Sequence, residues 1–178
     1  MKILVTGGAG YIGSVLTYEL LKLNFKVTVI DNFIFNQTSL LDLAYNKNLT
    51  IIKEDIRNLD ILKKEINKSD IIIPLAGIVG AKACDKDKKL TYEVNVEHSK
   101  NIIKFSGKKP IIFPVTNSGY GIGKKNKFCD ERSPLNPISY YGKTKVMAEK
   151  IIMKKKSAIC LRLATVFGSS PRMRTDLL

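Results

Sequence analysis

Short apolar runs alternate with longer segments in which apolar residues recur at helical spacing. The short runs predict strands near residues 2–6, 26–31, 49–53, 70–76, 110–115 and 158–164. The longer segments predict helices near residues 11–23, 37–45, 58–67, 88–106 and 138–156. Such alternation is typical of an α/β domain with a parallel sheet and helices on both faces. Right-handed crossovers bring the carboxyl ends of the strands to one edge, where ligands bind.

A glycine-rich segment, Thr-Gly-Gly-Ala-Gly-Tyr-Ile-Gly, covers residues 6–13 between the first predicted strand and helix. In such a turn Gly7 allows a sharp bend, Gly10 lets the backbone approach a diphosphate, and Gly13 lets the helix pack closely on the strand. The helix start then offers unpaired N–H groups and a positive dipole end to phosphate. The segment predicts a Rossmann-type, doubly wound parallel sheet that binds a dinucleotide through Gly7, Gly10, Tyr11, Ile12 and Gly13.

An acidic residue follows at the expected distance. The second apolar run ends in Asp31, 18 residues after Gly13, close to the offset of about 20 residues at which an acid binds the ribose of a dinucleotide. A carboxylate there accepts hydrogen bonds from the ribose hydroxyls and repels a 2′-phosphate, which favours NAD over NADP as cofactor. The alternative is an ordinary glycine-rich turn with Asp31 at the surface.

The length of 178 residues is most simply one domain with a substantial core. No apolar run is long enough to span a membrane, and the apolar residues before the glycines are too few for a signal peptide. Cys84, Cys129 and Cys160 lack metal-binding or redox spacing. We therefore expect free thiols in a reducing cytoplasm, and no metal site.

The net charge of +14 raises the question of nucleic-acid or acidic membrane binding. The lysines are scattered, and no aromatic residues interleave with the short lysine runs to stack bases. A solvated basic surface is therefore favoured over RNA or membrane binding. Such a surface would still attract a charged substrate such as a nucleotide diphosphate.

Two residues of the last predicted helix form the candidate reaction centre. Tyr141 and Lys145 are four residues apart and share a helix face. An ammonium group beside a phenol lowers a pKa that is ordinarily about 10, which produces a base usable near neutral pH. The alternative is a surface pair, because this spacing is common by chance. The one histidine, His98, is expected on a helix surface.

Further short motifs follow in order along the chain: Asp31-Asn32, Asp55-Ile56, Leu75-Ala76, Asn95-Val96, Thr116-Asn-Ser-Gly-Tyr-Gly121, Glu131 with Pro134, Tyr141-Gly-Lys-Thr-Lys145, and Leu161-Arg162 through Phe167-Gly168. Together with residues 6–13 they resemble the extended short-chain dehydrogenase/reductase family, the NAD-dependent sugar-nucleotide epimerases and dehydratases. The motifs cover residues 6 to 168 in family order, and their combination is highly specific.

The resemblance implies a mechanism. Tyr141, as a phenolate, takes a proton from a sugar hydroxyl while a hydride passes to NAD. Thr116 holds the developing oxyanion, and Lys145 lowers the pKa of Tyr141 and binds the nicotinamide ribose. The implied coenzyme contacts also include Tyr141 itself and Asn32, Asp55, Ile56, Leu75 and Ala76. The implied substrate contacts are Ser118, Asn95 and Thr165. Packing or capping roles stay open for Asp55, Ala76 and Asn95.

Two departures from the family pattern affect the expected activity. Asn117-Ser118 stands where the 4,6-dehydratases carry Asp-Glu, which favours a nucleoside-diphosphate-sugar 4-epimerase or oxidoreductase over a dehydratase. Relatives run to roughly 300 residues in two domains, so we expect residues 1–178 to be the NAD-binding domain, with the substrate domain largely absent. A non-catalytic NAD-binding module or an inactive fragment is the alternative. The resemblance also implies a homodimer through the helices at 88–106 and 138–156.

Overall fold

Six parallel strands form the centre of the protein in the computed structural model, which describes residues 1–123 and 127–174. The strands are β1 (Lys2–Thr6), β2 (Lys26–Asp31), β3 (Leu49–Lys53), β4 (Ile71–Pro74), β5 (Ile111–Thr116) and β6 (Ala158–Leu163). They form one sheet in the order β3-β2-β1-β4-β5-β6. This order confirms the predicted doubly wound Rossmann-type sheet, whose winding reverses between β1 and β4.

Helices cover both faces of the sheet: α1 (Tyr11–Lys22), α2 (Leu59–Lys68), α3 (Ala81–Lys86), α4 (Lys88–Tyr92), α5 (His98–Phe105) and α6 (Tyr140–Ile152). Successive residues of a strand point to opposite faces. Leu4 of β1 therefore joins a core with Leu62 of α2 and Ile102 of α5, whereas Ile3 joins a second core with Leu21 of α1. Within the described ranges, no helix is long and apolar enough to cross a membrane.

The predicted helix at 37–45 is wrong. Only a short 3-10 turn, Leu41–Leu43, forms there. The Ser39 hydroxyl donates to the Ala9 carbonyl at 2.7 Å. Because polar side chains that bond to backbone compete with helix formation, this segment instead stays tied to the glycine-rich turn.

Residues 88–105 are helical, close to the prediction of 88–106, but they do not form one regular α-helix. A π-helical stretch, Glu93–Glu97, separates α4 from α5. Such stretches are frequent at functional sites, and this one carries Asn95. The sequence pattern missed α3, because its six residues include a single buried one, Cys84, and so show no apolar repeat.

Polar caps fix where two helices begin. Ser139 Oγ accepts a hydrogen bond from the Gly142 N–H at 3.1 Å, so that α6 starts at Tyr140, two residues after its predicted start. Asn58 accepts from the Ile61 N–H at 3.3 Å at the start of α2. The cap on α6 sets the orientation of the helix that carries the predicted Tyr-Lys pair.

Candidate active site

The glycine-rich turn joins β1 to α1 where the winding of the sheet reverses. Gly7 has a φ of +72°, and a Cβ there would lie 2.6 Å from the Ala76 nitrogen. A Cβ at Gly13 would lie 2.3 Å from the Gly7 carbonyl oxygen. Both distances are far inside van der Waals contact. The turn, the start of α1 and the segment after β4 therefore meet through bare backbone, as the sequence-derived roles of these glycines require.

Gly13→Ala is expected to destabilise the fold by about 1–3 kcal/mol, because the added methyl group would force backbone atoms apart. That cost exceeds the gain of at most about 1 kcal/mol that alanine brings in a helix. The free energy of unfolding in urea measures the effect. Gly123→Ala is the control, since a Cβ there meets nothing within 4 Å among the residues that the structure describes. Equal stabilities of the two variants would contradict the prediction.

The start of α1 is open to an anion. Its N-cap residue Gly10 offers no side chain, and its first turn contains no acidic residue. Tyr11 and Ile12 begin this turn and are partly exposed. Asp31, at the end of β2, is 8% exposed and accepts a hydrogen bond from the Ala9 N–H at 3.0 Å. A positive helix end and a carboxylate thus lie on the two sides of one turn.

A second carboxylate lies at the end of β3. Arg57 donates through Nε and Nη2 to the two oxygens of Asp55, at 3.0 Å each, and through Nη1 to Glu93 at 2.9 Å. Hydrogen bonding from Arg57 holds the pKa of Asp55 below its ordinary value, and Asn32 adds a further hydrogen bond. Ile56 is 7% exposed. The structure thus gathers Asn32, Asp55 and Ile56 at one edge of the sheet.

His98 lies in the core, so the expectation of a surface position is wrong. The side chain is 4% exposed, and its Nε2 is hydrogen-bonded to Thr6 Oγ1 at 3.1 Å. Thr6 Oγ1 also accepts from the Ala76 N–H at 3.4 Å. Burial lowers the pKa of His98 to about 3, so the ring is neutral at physiological pH. Helical spacing explains the position, because Asn95, His98 and Ile102 are all buried at one face.

Thr116 and Tyr141 come together at the carboxyl end of β5. Thr116 Oγ1 accepts from the Ser118 N–H and donates to Ser118 Oγ, both at 3.1 Å. Tyr141 is partly buried in the first turn of α6. Burial raises the pKa of Tyr141, and hydrogen bonding with Thr116 works against that rise. A phenol, a threonine hydroxyl and a serine hydroxyl therefore share one corner of the sheet edge.

Lys145 lies one helical turn after Tyr141 and is 9% exposed. Its Nζ is 4.8 Å from the centroid of the Phe113 ring. Burial lowers the pKa of Lys145 to about 8, and Cys84 and Cys160 offset this in part. Burial of the phenol is the largest influence on the pKa of Tyr141, and a lowering of that pKa by Lys145 stays a prediction.

Asn95 links two of the segments that form the candidate site. It is 4% exposed, accepts from the Ile78 N–H at 2.8 Å, and donates to the Ile78 carbonyl at 3.0 Å and to Thr144 Oγ1 at 3.2 Å. The carboxamide therefore joins α6 to the segment after β4, which begins with the partly buried Leu75 and Ala76. This position fits a supporting role, and a direct substrate contact by Asn95 stays a prediction.

The segment after β6 returns to the start of α1. Tyr11 donates to the Gly168 carbonyl at 2.8 Å, and Ser170 Oγ donates to the Tyr11 carbonyl at 2.7 Å. Arg174 lies near enough to Tyr141 to lower the pKa of the phenol. Sequence reasoning missed this approach, because no spacing rule connects residues so far apart. Thr165 is exposed in this segment, and its substrate contact stays a prediction.

Comparison with known sequences gives a consistent result. A model of the NAD dependent epimerase/dehydratase family matches residues 3–177. The chain is 33% identical to UDP-glucose 4-epimerase 2 of Oryza sativa subsp. japonica, over 84% of this chain and 39% of that protein. It is 34% identical to an uncharacterized UDP-glucose epimerase of Bacillus subtilis (strain 168), over 99% of this chain and 60% of that protein. The chain thus spans about half the length of the curated relatives it matches.

Solved structures lead to the same group of proteins. The UDP-glucuronic acid 4-epimerase of Bacillus cereus in complex with NAD matches 99% of this chain and 59% of its own chain, with a TM-score of 0.85 and 32% identity. The UDP-glucose 4-epimerase of Thermus thermophilus in complex with NAD matches 91% of this chain and 54% of its own, with a TM-score of 0.79 and 25% identity.

Proposed function

We propose, from the premise that this chain belongs to the NAD-dependent epimerase/dehydratase family, that residues 1–178 form the coenzyme-binding domain of a nucleotide-sugar 4-epimerase. The solved relatives named above carry NAD, and their names give UDP-sugars as substrates. The observation that carries the proposal is the meeting of Thr116 and Tyr141 on the sheet edge that also holds the glycine-rich turn. A dinucleotide site and a hydroxyl-bearing reaction centre thus share one ligand-binding edge.

The residues present fit NAD. The uncapped start of α1 offers backbone N–H groups to the diphosphate, and a Cβ at Gly10 would face the Gly7 oxygen at 3.1 Å, so the cradle is kept bare. Asp31 offers a carboxylate for the adenosine ribose, and Asp55 with Ile56 lies where the adenine is expected. When bound, the nicotinamide supplies an acceptor and donor of hydride.

The residues of the chain supply the rest of the chemistry. Tyr141 takes the proton from a sugar hydroxyl, for which its phenol must first ionise. Thr116 donates a hydrogen bond to the sugar oxygen as charge develops there. Lys145, kept cationic below its pKa of about 8, binds the nicotinamide ribose, and Ser118 and Thr165 contact the sugar. Asn117-Ser118 offers no acid for water elimination, which favours epimerisation over dehydration.

Coenzyme binding by the 178-residue chain is the first test. Calorimetric titration is expected to show that NAD binds and that NADP binds at least about tenfold more weakly, because Asp31 repels a 2′-phosphate. Asp31→Ala is expected to weaken NAD binding about tenfold to a hundredfold through the lost charged hydrogen bonds. Asp42→Ala, an exposed carboxylate outside the site, is the control. Absence of NAD binding, or an Asp31 variant that matches this control, would contradict the proposal.

A second measurement separates the enzyme from a non-catalytic module. A protein that contains this chain together with a substrate domain is incubated with NAD and a panel of UDP-sugars, and the products are resolved by chromatography. An epimerised sugar supports the 4-epimerase, a dehydrated keto sugar supports the dehydratase, and NAD binding without any product supports a binding module.

We propose a cytoplasmic location and a homodimer as further properties. All three cysteines are free, which suits a reducing compartment. Four apolar residues of the helices that the resemblance assigns to the dimer, Val94, Ile102, Ala148 and Ile152, are buried in the core of the chain itself. The dimer therefore rests on the family resemblance, and light scattering at several protein concentrations tests it.

A further inference from the structure

His98 is held in the core by one hydrogen bond. Its Nε2 bonds to Thr6 Oγ1 at 3.1 Å, whereas within residues 1–123 and 127–174 its Nδ1 has no partner. A buried polar atom without a partner costs stability, so such a residue calls for an explanation. The position lines a cavity of about 290 Å³ together with Ile56 and Arg57, next to the predicted adenine contact.

The partner of His98 in this hydrogen bond, Thr6, lies at the point where the winding of the sheet reverses. Thr6 is the last residue of β1 and the residue before the glycine-rich turn. β1 and β4 are paired neighbours up to Thr6 and Pro74, and the Leu75 N–H donates to the Thr6 carbonyl at 2.8 Å. The Thr6 Oγ1, which accepts from the Ala76 N–H at 3.4 Å, extends this pairing by one residue. A Cβ at Gly7 would lie 2.6 Å from the same Ala76 nitrogen. Any shift of the segment after β4 therefore moves directly against the turn that is predicted to hold the diphosphate.

We propose that His98 is a positioning residue for the coenzyme and acts through the Thr6 hydroxyl on the Ala76 amide. A threonine hydroxyl rotates freely unless its partners fix it. In the tautomer whose Nε2 carries no proton, the Thr6 hydroxyl donates to His98 Nε2, and this orientation leaves a lone pair of Oγ1 for the Ala76 N–H. The pairing of β1 with β4 is thereby continued to Ala76, beside the glycine-rich turn, before the ligand arrives, which reduces the ordering cost of binding. This inference rests on the proposed function.

The test compares four variants of the whole chain. His98→Leu removes the bond at similar volume, His98→Gln keeps a polar amide near the Nε2 position, and Thr6→Val removes the hydroxyl. His98→Leu is expected to raise the NAD dissociation constant about threefold to tenfold, as loss of one hydrogen bond does. In the ligand-free protein it is expected to speed hydrogen exchange of the Ala76 amide, and His98→Gln is expected to restore both values within about twofold. The double variant with Thr6→Val is expected to bind NAD no more weakly than Thr6→Val alone.

If His98 contributed only to the stability of the fold and not to NAD binding, these measurements would give a different result. His98→Leu would then lower the urea midpoint with an unchanged NAD dissociation constant, or its effect would add to that of Thr6→Val, and either result overturns the inference. If His98→Leu does not fold, an NAD affinity of Thr6→Val equal to the wild type overturns it, and a weakened one supports it. A wild-type chain that fails to bind NAD overturns the proposed function and this inference together. Normal wild-type binding with unaffected variants overturns the inference alone.

Discussion

Tyr141→Phe, made in a protein that contains this chain together with a substrate domain, is expected to reduce turnover of a UDP-sugar about 10²-fold to 10⁴-fold, the usual contribution of a positioned acid or base. The substitution removes the hydroxyl that interacts with Thr116 and leaves the ring in its half-buried place at the start of α6. NAD affinity is therefore expected to stay within about threefold of the wild type. Turnover at saturating substrate and calorimetric NAD binding measure the two quantities separately.

Tyr140→Phe is the matched control for this prediction. It removes a neighbouring phenol whose hydroxyl donates to the Lys88 carbonyl at 3.2 Å, away from Thr116. Equal turnover of Tyr141→Phe and Tyr140→Phe would remove Tyr141 as the base. If Tyr141→Phe weakened NAD binding by as large a factor as it reduced turnover, the residue would act in coenzyme binding rather than in proton transfer.

Lys145→Met is expected to stabilise the protein at pH 7 by about 2–3 kcal/mol while abolishing turnover. Burial lowers the pKa of Lys145 from 10.5 to about 8, and each pKa unit corresponds to about 1.4 kcal/mol. At pH 7 the ammonium is charged in both the folded and the unfolded chain, so the folded state bears the full cost of burying it. Contact with the Phe113 ring at 4.8 Å already offsets part of that cost.

The pH dependence of the stability gain has a definite sign. Above the folded pKa of about 8, the folded chain releases the proton while the unfolded chain keeps it up to its higher pKa. The stability of the wild type relative to Lys145→Met therefore rises between about pH 8 and pH 10.5. Urea unfolding at pH 7 and pH 9.5 measures the gap, with the exposed Lys150→Met on the same helix as control. A variant less stable than the wild type at pH 7, or a gap independent of pH, would contradict the prediction.

Local patterns were sufficient for the sheet and for the cofactor end of the site. The first three strands lie at the predicted residues, because each is a short apolar run bounded by polar residues or turns. The glycine-rich turn could also be predicted, since all the residues that define it are adjacent in the sequence, at positions 6–13. The helix at 37–45 failed because side chains bond to the backbone there, as Ser39 does to Ala9, and periodicity does not detect this competition.

The rest of the site depends on contacts between distant parts of the chain. Sequence spacing places Lys145 beside Tyr141 but gives no account of burial, which dominates the pKa of both side chains. The surface position predicted for His98 is wrong, although its three-residue spacing from Asn95 could have placed it on the inward face. The approach of Arg174 to Tyr141 follows only from the path of the chain after β6.

The order of the strands has a consequence for how the protein is made. In the folded protein β1 lies between β2 and β4, and β2 also pairs with β3. During synthesis, one side of β1 therefore lacks its native partner until Ile71–Pro74 has been made, even after residues 1–53 are complete. An unpaired strand edge can add strands from other chains, which promotes aggregation. Residues 6–13 and 75–76 can meet only after that point, so the coenzyme site that we propose is incomplete in the nascent first half.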